Sequence, residues 1–210
     1  ITHSIQNRSG PNDPGRIDIF NGDILLIDPD LTQTQAFGYD SIGRDDRQPL
    51  ARLLPIEGKF YEIKVSPSGD AMTLTPYVGE MGLLSNPNPK FQALVVHPEL
   101  GVVKATGGEK QGAPVPAGTW KLAEYIIAMP PSEGARGSTY IRANAPGNYP
   151  EVEVRAGKVA KLPFGPPYHG ETYLGRIRNM NLGKMASLEM QLVGSMGEIC
   201  SSILIDGKRP

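Results

Sequence analysis

The sequence predicts an all-β protein built as one or more antiparallel sandwiches, and three observations carry that prediction. The 210 residues include 25 Gly and 20 Pro. A breaker therefore falls about every five residues, whereas a helix of ordinary length needs about ten without one inside. Short runs of alternating apolar and polar residues lie between clusters of Gly, Pro, Asn and Asp, which is the spacing that strands need. The gaps between runs leave no room for the crossover helices that parallel strands require, so antiparallel pairing is expected.

Residues 16–20 and 24–27 read as two strands around Asn21-Gly22, a favourable turn pair. Residues 59–65 and 71–77 form the clearest hairpin. Phe60, Glu62 and Lys64 alternate with Tyr61, Ile63 and Val65, and Pro67 and Gly69 supply the turn. Residues 86–90, Asn-Pro-Asn-Pro-Lys, are held extended because a residue before Pro avoids the helical region. A soft domain boundary is placed there. Further strands are expected at 92–96, 101–104 and 119–127, the last after a Pro116-Ala117-Gly118 turn. Residues 139–142 follow, then a hairpin of 151–155 with 158–162 across Ala156-Gly157. The last strands are 172–178, 186–193 and 198–205. Roughly eight or nine strands in the second half, at intervals near ten residues, favour a sandwich. No internal repeat marks a propeller or solenoid.

Charge and composition narrow the function classes. Twenty-one basic residues face 22 acidic ones, for a net charge of −1. Without a block of like charge, no attraction to nucleic acid is expected. The apolar runs fall far short of the ~20 residues of a membrane-spanning helix, so no membrane span is expected. The apolar fraction of 39% supplies one or two modest cores. One Cys permits no intramolecular disulfide, which suits the cytosol and many bacterial secreted proteins alike. The chain begins at Ile1, as expected of a processed, mature product.

The segment Val115-Pro-Ala-Gly-Thr-Trp-Lys-Leu122, followed by Val152-Glu-Val-Arg-Ala-Gly-Lys-Val159 and Leu162-Pro-Phe164, carries a family pattern. Gly118 lets the chain turn into the strand, Trp120 and Leu122 then share a face, and Gly157 closes the later hairpin. This stretch resembles the prealbumin-like modules of secreted bacterial proteins, the carboxypeptidase-regulatory-like and collagen-adhesin B-type repeats. Residues 58–63, Gly-Lys-Phe-Tyr-Glu-Ile, and 193–199, Val-Gly-Ser-Met-Gly-Glu-Ile, are similar to segments of uncharacterised secreted proteins of planctomycete-type bacteria. The resemblance implies an Ig-like, prealbumin-like sandwich over residues 91–210, while the linker at 86–90 and the polar start of the chain set apart a small β domain at 16–85 and a flexible arm at 1–15. It also implies a stalk, spacer, adhesion or assembly role outside the cytoplasm rather than an enzyme. Adhesin modules of this kind often carry a Lys–Asn isopeptide bond promoted by a buried Glu. Glu124 stands at the matching spacing and Lys104 is the nearest Lys, but Leu162-Pro163-Phe164 occupies the place of the Asn. An exposed Glu on an alternating strand is therefore the preferred reading.

Several groups of residues are candidate sites. Asp18, Asn21, Asp23, Asp28 and Asp30 offer hard oxygen ligands at a density that suits a structural Ca²⁺. Their spacing is not that of an EF-hand, and solvated turn residues are the competing reading. Tyr140, Tyr149, Tyr168 and Tyr173 could stack a sugar on a sandwich face, against edge and loop tyrosines with wet hydroxyls. His3, His97 and His169 lie far apart, and the latter two read as strand-end positions. No spacing supports zinc or a triad. Gly194-Ser-Met-Gly197 is not a nucleophile elbow, and Gly107-Gly-Glu-Lys110 lacks P-loop spacing. Cys200 reads as a small core residue, and Met180, Met185, Met190 and Met196 as core filling. Asn7-Arg8-Ser9 is a glycosylation triplet of the sort that arises by chance.

The polar first fifteen residues would be disordered alone and could add a strand to a neighbour's open edge. The leading expectation is a non-catalytic, secreted or cell-surface structural protein that self-associates through β-edge contacts into an oligomer or filament. A monomeric carbohydrate-binding or adhesion module is the alternative.

Overall fold

The computed structural model describes residues 24–26, 47–56, 58–108, 112–129, 139–180 and 183–205. The first expected strand, the arm, His3, Asn7 and all five candidate calcium ligands lie outside them. The described residues form sixteen strands and no helix, so the protein is all-β. Strands β1 (Ile24–Leu26) and β2 (Arg47–Pro49) make a small antiparallel pair.

The largest sheet has eight strands. Its order is β14 (His169–Met180), β15 (Gly183–Val193), β16 (Ile199–Leu204), β11 (Thr139–Asn144), β10 (Gly118–Met129), β7 (Phe91–His97) and β8 (Gly101–Thr106), with β12 (Glu151–Val154) also paired to β10. All these pairings are antiparallel. A three-stranded sheet joins β13 (Val159–Lys161), β6 (Met81–Ser85) and β9 (Ala113–Pro116). Another joins β3 (Leu53–Ile56), β4 (Lys59–Val65) and β5 (Met72–Pro76).

The β4–β5 hairpin forms where the sequence places it, with Ile63 opposite Leu74. Its turn is built by side chains: the Ser66 hydroxyl donates to Asp70 Oδ1 at 2.6 Å and accepts the Ala71 N–H at 3.1 Å. The Ser66 and Ser68 hydroxyls, both donating to Asp70, hold its carboxyl below the usual carboxylate range.

Strand β10 shows how alternation and a bulge fill a core. Trp120 and Leu122 are buried on one face as expected. The register then slips between Leu122 and Glu124, because Ala123 is an extra residue opposite β7. The slip changes the parity, so Tyr125 and Ile127 continue the buried row. These side chains share one core with Val95, Val103 and Ala143 of the large sheet, and with Leu84, Val115 and Leu162 from β6, β9 and the end of β13. Two facing sheets with a common apolar interior make a sandwich. Tyr125 stacks on Phe164 at 4.4 Å between centroids, and Phe91 meets Phe164 edge-on at 5.5 Å.

Two expectations need correction. Residues 151–155 and 158–162 do not pair as a hairpin: β12 joins β10 and β13 joins β6. Gly157, at φ 64°, turns the chain from one sheet to the other. The β13–β6 pairing is also parallel. No helix is needed to make it, because β7 to β12 themselves carry the chain across. Residues 86–90 lie between β6 and β7, and strand pairing spans that segment, since β6 joins β9 and β13 from beyond it. The Asn86 amide also donates to the carbonyls of Leu162 and Phe164 at 2.9 and 3.1 Å.

Candidate functional site

The β14–β15 ribbon departs from the sandwich pattern. The two strands pair along nearly their whole length, with a bulge between Leu174 and Ile177. Only Val193, opposite Ile199, ties β15 to β16. From Glu171 to Leu174, and back from Ser187 to Met190, the ribbon is exposed on both faces. It therefore projects from the sheet.

Its two faces differ. Cross-strand partners share a face, so Leu174 with Leu188 and Thr172 with Met190 make one side. Leu174 is 72% exposed, Leu188 73% and Met190 79%. The opposite side is polar and hydrogen-bonded. The Tyr173 hydroxyl donates to Glu189 at 3.0 Å, Ser187 donates to the same carboxylate at 3.1 Å, and Gln191 donates to Glu171 at 3.3 Å. His169 Nε2 lies 3.1 Å from Glu171. The polar face is satisfied by its own network, while among the described residues nothing covers Leu174, Leu188 and Met190 on the apolar face.

The root of the ribbon is the reverse: polar, buried and closed. Glu198 is fully buried. Its carboxylate accepts the Gly165 N–H at 3.0 Å and the Met196 N–H at 2.8 Å. The Ser195 N–H donates to the Gly165 carbonyl at 2.9 Å, joining the segment that enters β14 to the one that leaves β15. Tyr125 reaches the same place from β10 and lies 3.4 Å from the Tyr168 hydroxyl. Burial pushes the Tyr125 and Tyr149 phenols well above the ordinary range, and Glu198 adds to both shifts. Burial and Glu198 likewise raise the Cys200 thiol to about 11.

The residues singled out from sequence are dispersed. Tyr149 is 2% exposed, and its hydroxyl donates to the Pro163 carbonyl. Tyr168 is half-buried at the root, Tyr140 lies on β11, and Tyr173 stands on the ribbon. The four rings do not share an open face. His97 ends β7 as expected. Its ring packs on Trp120 at 5.1 Å, and Nδ1 accepts the Glu99 and Leu100 N–H groups. Cys200 is half-buried against the core, in line with the small-core-residue reading.

Glu124 is a correction: it is 8% exposed rather than open to solvent. Its Oε1 lies 3.2 Å from Arg142 Nε, and the bulge at Ala123 turns it to the face opposite the core row. Lys104 and Asn144 lie in the same transverse row, two strands to one side of Glu124 and one to the other. Neighbouring strands lie roughly 4.8 Å apart, so three strand spacings part Lys104 from Asn144, too far for an isopeptide bond between them. Met190 and Met196 are a second correction, exposed rather than core filling. The ribbon's projection explains Met190. Sequence reasoning missed Glu198 altogether. Its one signal was a carboxylate between Gly197 and an apolar strand, with Gly194 nearby, where a Cβ would lie 2.5 Å from Oε2.

Among the described residues, no helix is long and apolar enough to cross a membrane, and no group of three or more His, Cys, Asp or Glu side chains could hold a metal ion. No family model, curated protein or solved structure matches the chain.

Proposed function

We propose that this protein is a non-catalytic structural subunit, working outside the cell, that self-associates through the β14–β15 ribbon. One observation carries the reading: Leu174, Leu188 and Met190 stand more than two-thirds exposed on one face of a projecting ribbon. Water penalises such a surface by roughly 25 cal/mol per Å², and a second copy would cover it. The margin of the ribbon adds to the attraction. Among the described residues β14 has one strand neighbour, so the ladder groups of its outer side are available for pairing. At the other end of the sheet, Ala51 and Arg52 lie against Gly101 of β8, which leaves β14 the more open margin. The extracellular setting is supported by the prealbumin-like pattern of residues 115–164.

Sedimentation velocity over a wide range of concentrations tests the proposal. The wild-type chain should form oligomers or polymers, and the L188K/M190K double variant should stay monomeric. A wild-type chain that is monodisperse and monomeric at the highest concentration overturns it. Binding of such a monomer to a glycan array would favour the carbohydrate-binding alternative.

A further inference from the structure

We infer that Glu198 is the positioning residue of the ribbon, its buried carboxylate bridging the two segments at the ribbon's root and so fixing the angle at which β14 and β15 leave the sheet. The inference rests on the ribbon being the contact surface, and it names what holds that surface in place.

The geometry is specific. Only one pair, Val193 with Ile199, joins β15 to β16, and β14 has no strand on its outer side among the described residues. Sheet pairing alone leaves a two-stranded ribbon free to swing about that junction. Glu198 Oε1 binds the Gly165 N–H, at the segment leading into β14, and Oε2 binds the Met196 N–H, in the turn after β15. The Gly194 N–H donates to the Glu198 carbonyl at 2.8 Å, so main chain and side chain of one residue hold the turn together. Both oxygens are thereby occupied by backbone donors, and a buried acceptor whose donors are removed carries the full cost of an unmade hydrogen bond.

The surroundings are shaped to receive the carboxylate. A Cβ at Gly194 would fall 2.5 Å from Oε2 and 3.2 Å from the Tyr125 hydroxyl, and one at Gly165 would fall 2.7 Å from Ile127 Cδ1. Gly165 is further held at φ 98°. The two glycines lie on either side of the root, at the points where a side chain would push the ribbon away. The Tyr125–Tyr168 hydroxyl contact then links the entry segment to β10 at the centre of the sheet.

Hydrogen exchange on the full chain tests this with E198Q, which keeps the shape of Glu198 but replaces one acceptor by a donor. The amides of Gly165, Met196 and residues 169–172 should exchange about tenfold faster or more, while those of β7 and β10 keep wild-type rates. The concentration needed for half-association should rise by a comparable factor. Wild-type exchange at Gly165 and Met196, or equal acceleration across β7 and β10, overturns the inference, because the second result marks a residue that stabilises the whole fold. Should E198Q fail to fold, G194A displaces the carboxylate without removing it and should loosen the same amides. If the root loosens and association is unchanged, the clamp stands and the ribbon is not the contact. If the wild-type chain never associates, the exchange experiment still decides the clamp.

Discussion

Strands β10 and β14 are both twelve residues long, and each carries large apolar side chains on one face. Their fates are opposite. Strand β10 lies between β7 and β11 and also pairs with β12. It buries Trp120, Leu122, Tyr125 and Ile127. Strand β14 has β15 as its one neighbour among the described residues, and Leu174 stays 72% exposed. Alternation therefore fixes which residues share a face, and the sheet's topology decides whether that face is covered.

The sharpest way to break the comparison is to truncate one residue in each strand pair. W120A should cost about 3–5 kcal/mol in urea unfolding, from lost burial and a cavity. It also strands the Pro116 carbonyl, which accepts the indole N–H at 2.8 Å. A loss below about 1 kcal/mol would mean that β10 is not the centre of the core.

The ion pair on the other face of β10 comes next. The Glu124 and Arg142 side chains are 11% and 18% exposed. R142M removes the cation facing a nearly buried carboxylate. The expected loss is about 2 kcal/mol, less than the ~3–5 kcal/mol of a fully dry pair because both groups still reach water. The double variant E124L/R142M should recover most of it in a thermodynamic cycle.

A pH profile then reads the buried phenols of the body and root, to which Tyr173 on the ribbon, raised by its hydrogen bond to Glu189, adds. Tyr125, Tyr149 and Tyr168 hold their protons more tightly when folded than the ordinary phenol at about 10 does. Their contribution is complete below pH 10 and declines above it, as the unfolded phenols ionise while the folded ones do not. Cys200 behaves likewise between 9.0 and about 11. Unfolding free energy measured from pH 8 to 11 should fall on the alkaline side, and Y125F should flatten the fall. A profile that is level to pH 11 would contradict the burial of this cluster.

How much of this was legible in the sequence depends on how the signal is carried. The β4–β5 hairpin and the β7, β8 and β10 strands were, because local alternation and turn residues specify them. Strands β3 and β9 were not, since Pro55, Pro114 and Pro116 argue against a strand. The structure accommodates the two prolines of β9 at the edge of its sheet, where missing N–H groups cost nothing. Strand β6 was hidden by Gly82, whose Cβ would lie 2.5 Å from the Arg155 carbonyl and from Val154. That close approach is long-range and leaves no local trace. The same holds for the site. Leu174 and Leu188 read as ordinary strand residues, and Glu198 as one more charge, because nothing local tells that one face stays open or that Gly165 comes to the carboxylate from 33 positions away.

The smallest effect on stability belongs to the ribbon's apolar face, and it is the most informative. Substituting an exposed residue away from caps and buried networks usually changes stability by less than about 0.5 kcal/mol. L188A should therefore leave the urea midpoint almost where it was, although the same Leu→Ala change in a core costs about 2–5 kcal/mol. L188K should do the same in dilute solution. Both should nonetheless weaken association at high concentration, L188K more, because it places charge in the surface that a second copy would cover. A marked loss of stability for the dilute monomer would show that Leu188 is covered within its own chain. The contrast with β10 would then disappear, and with it the reason to look for a partner on that face.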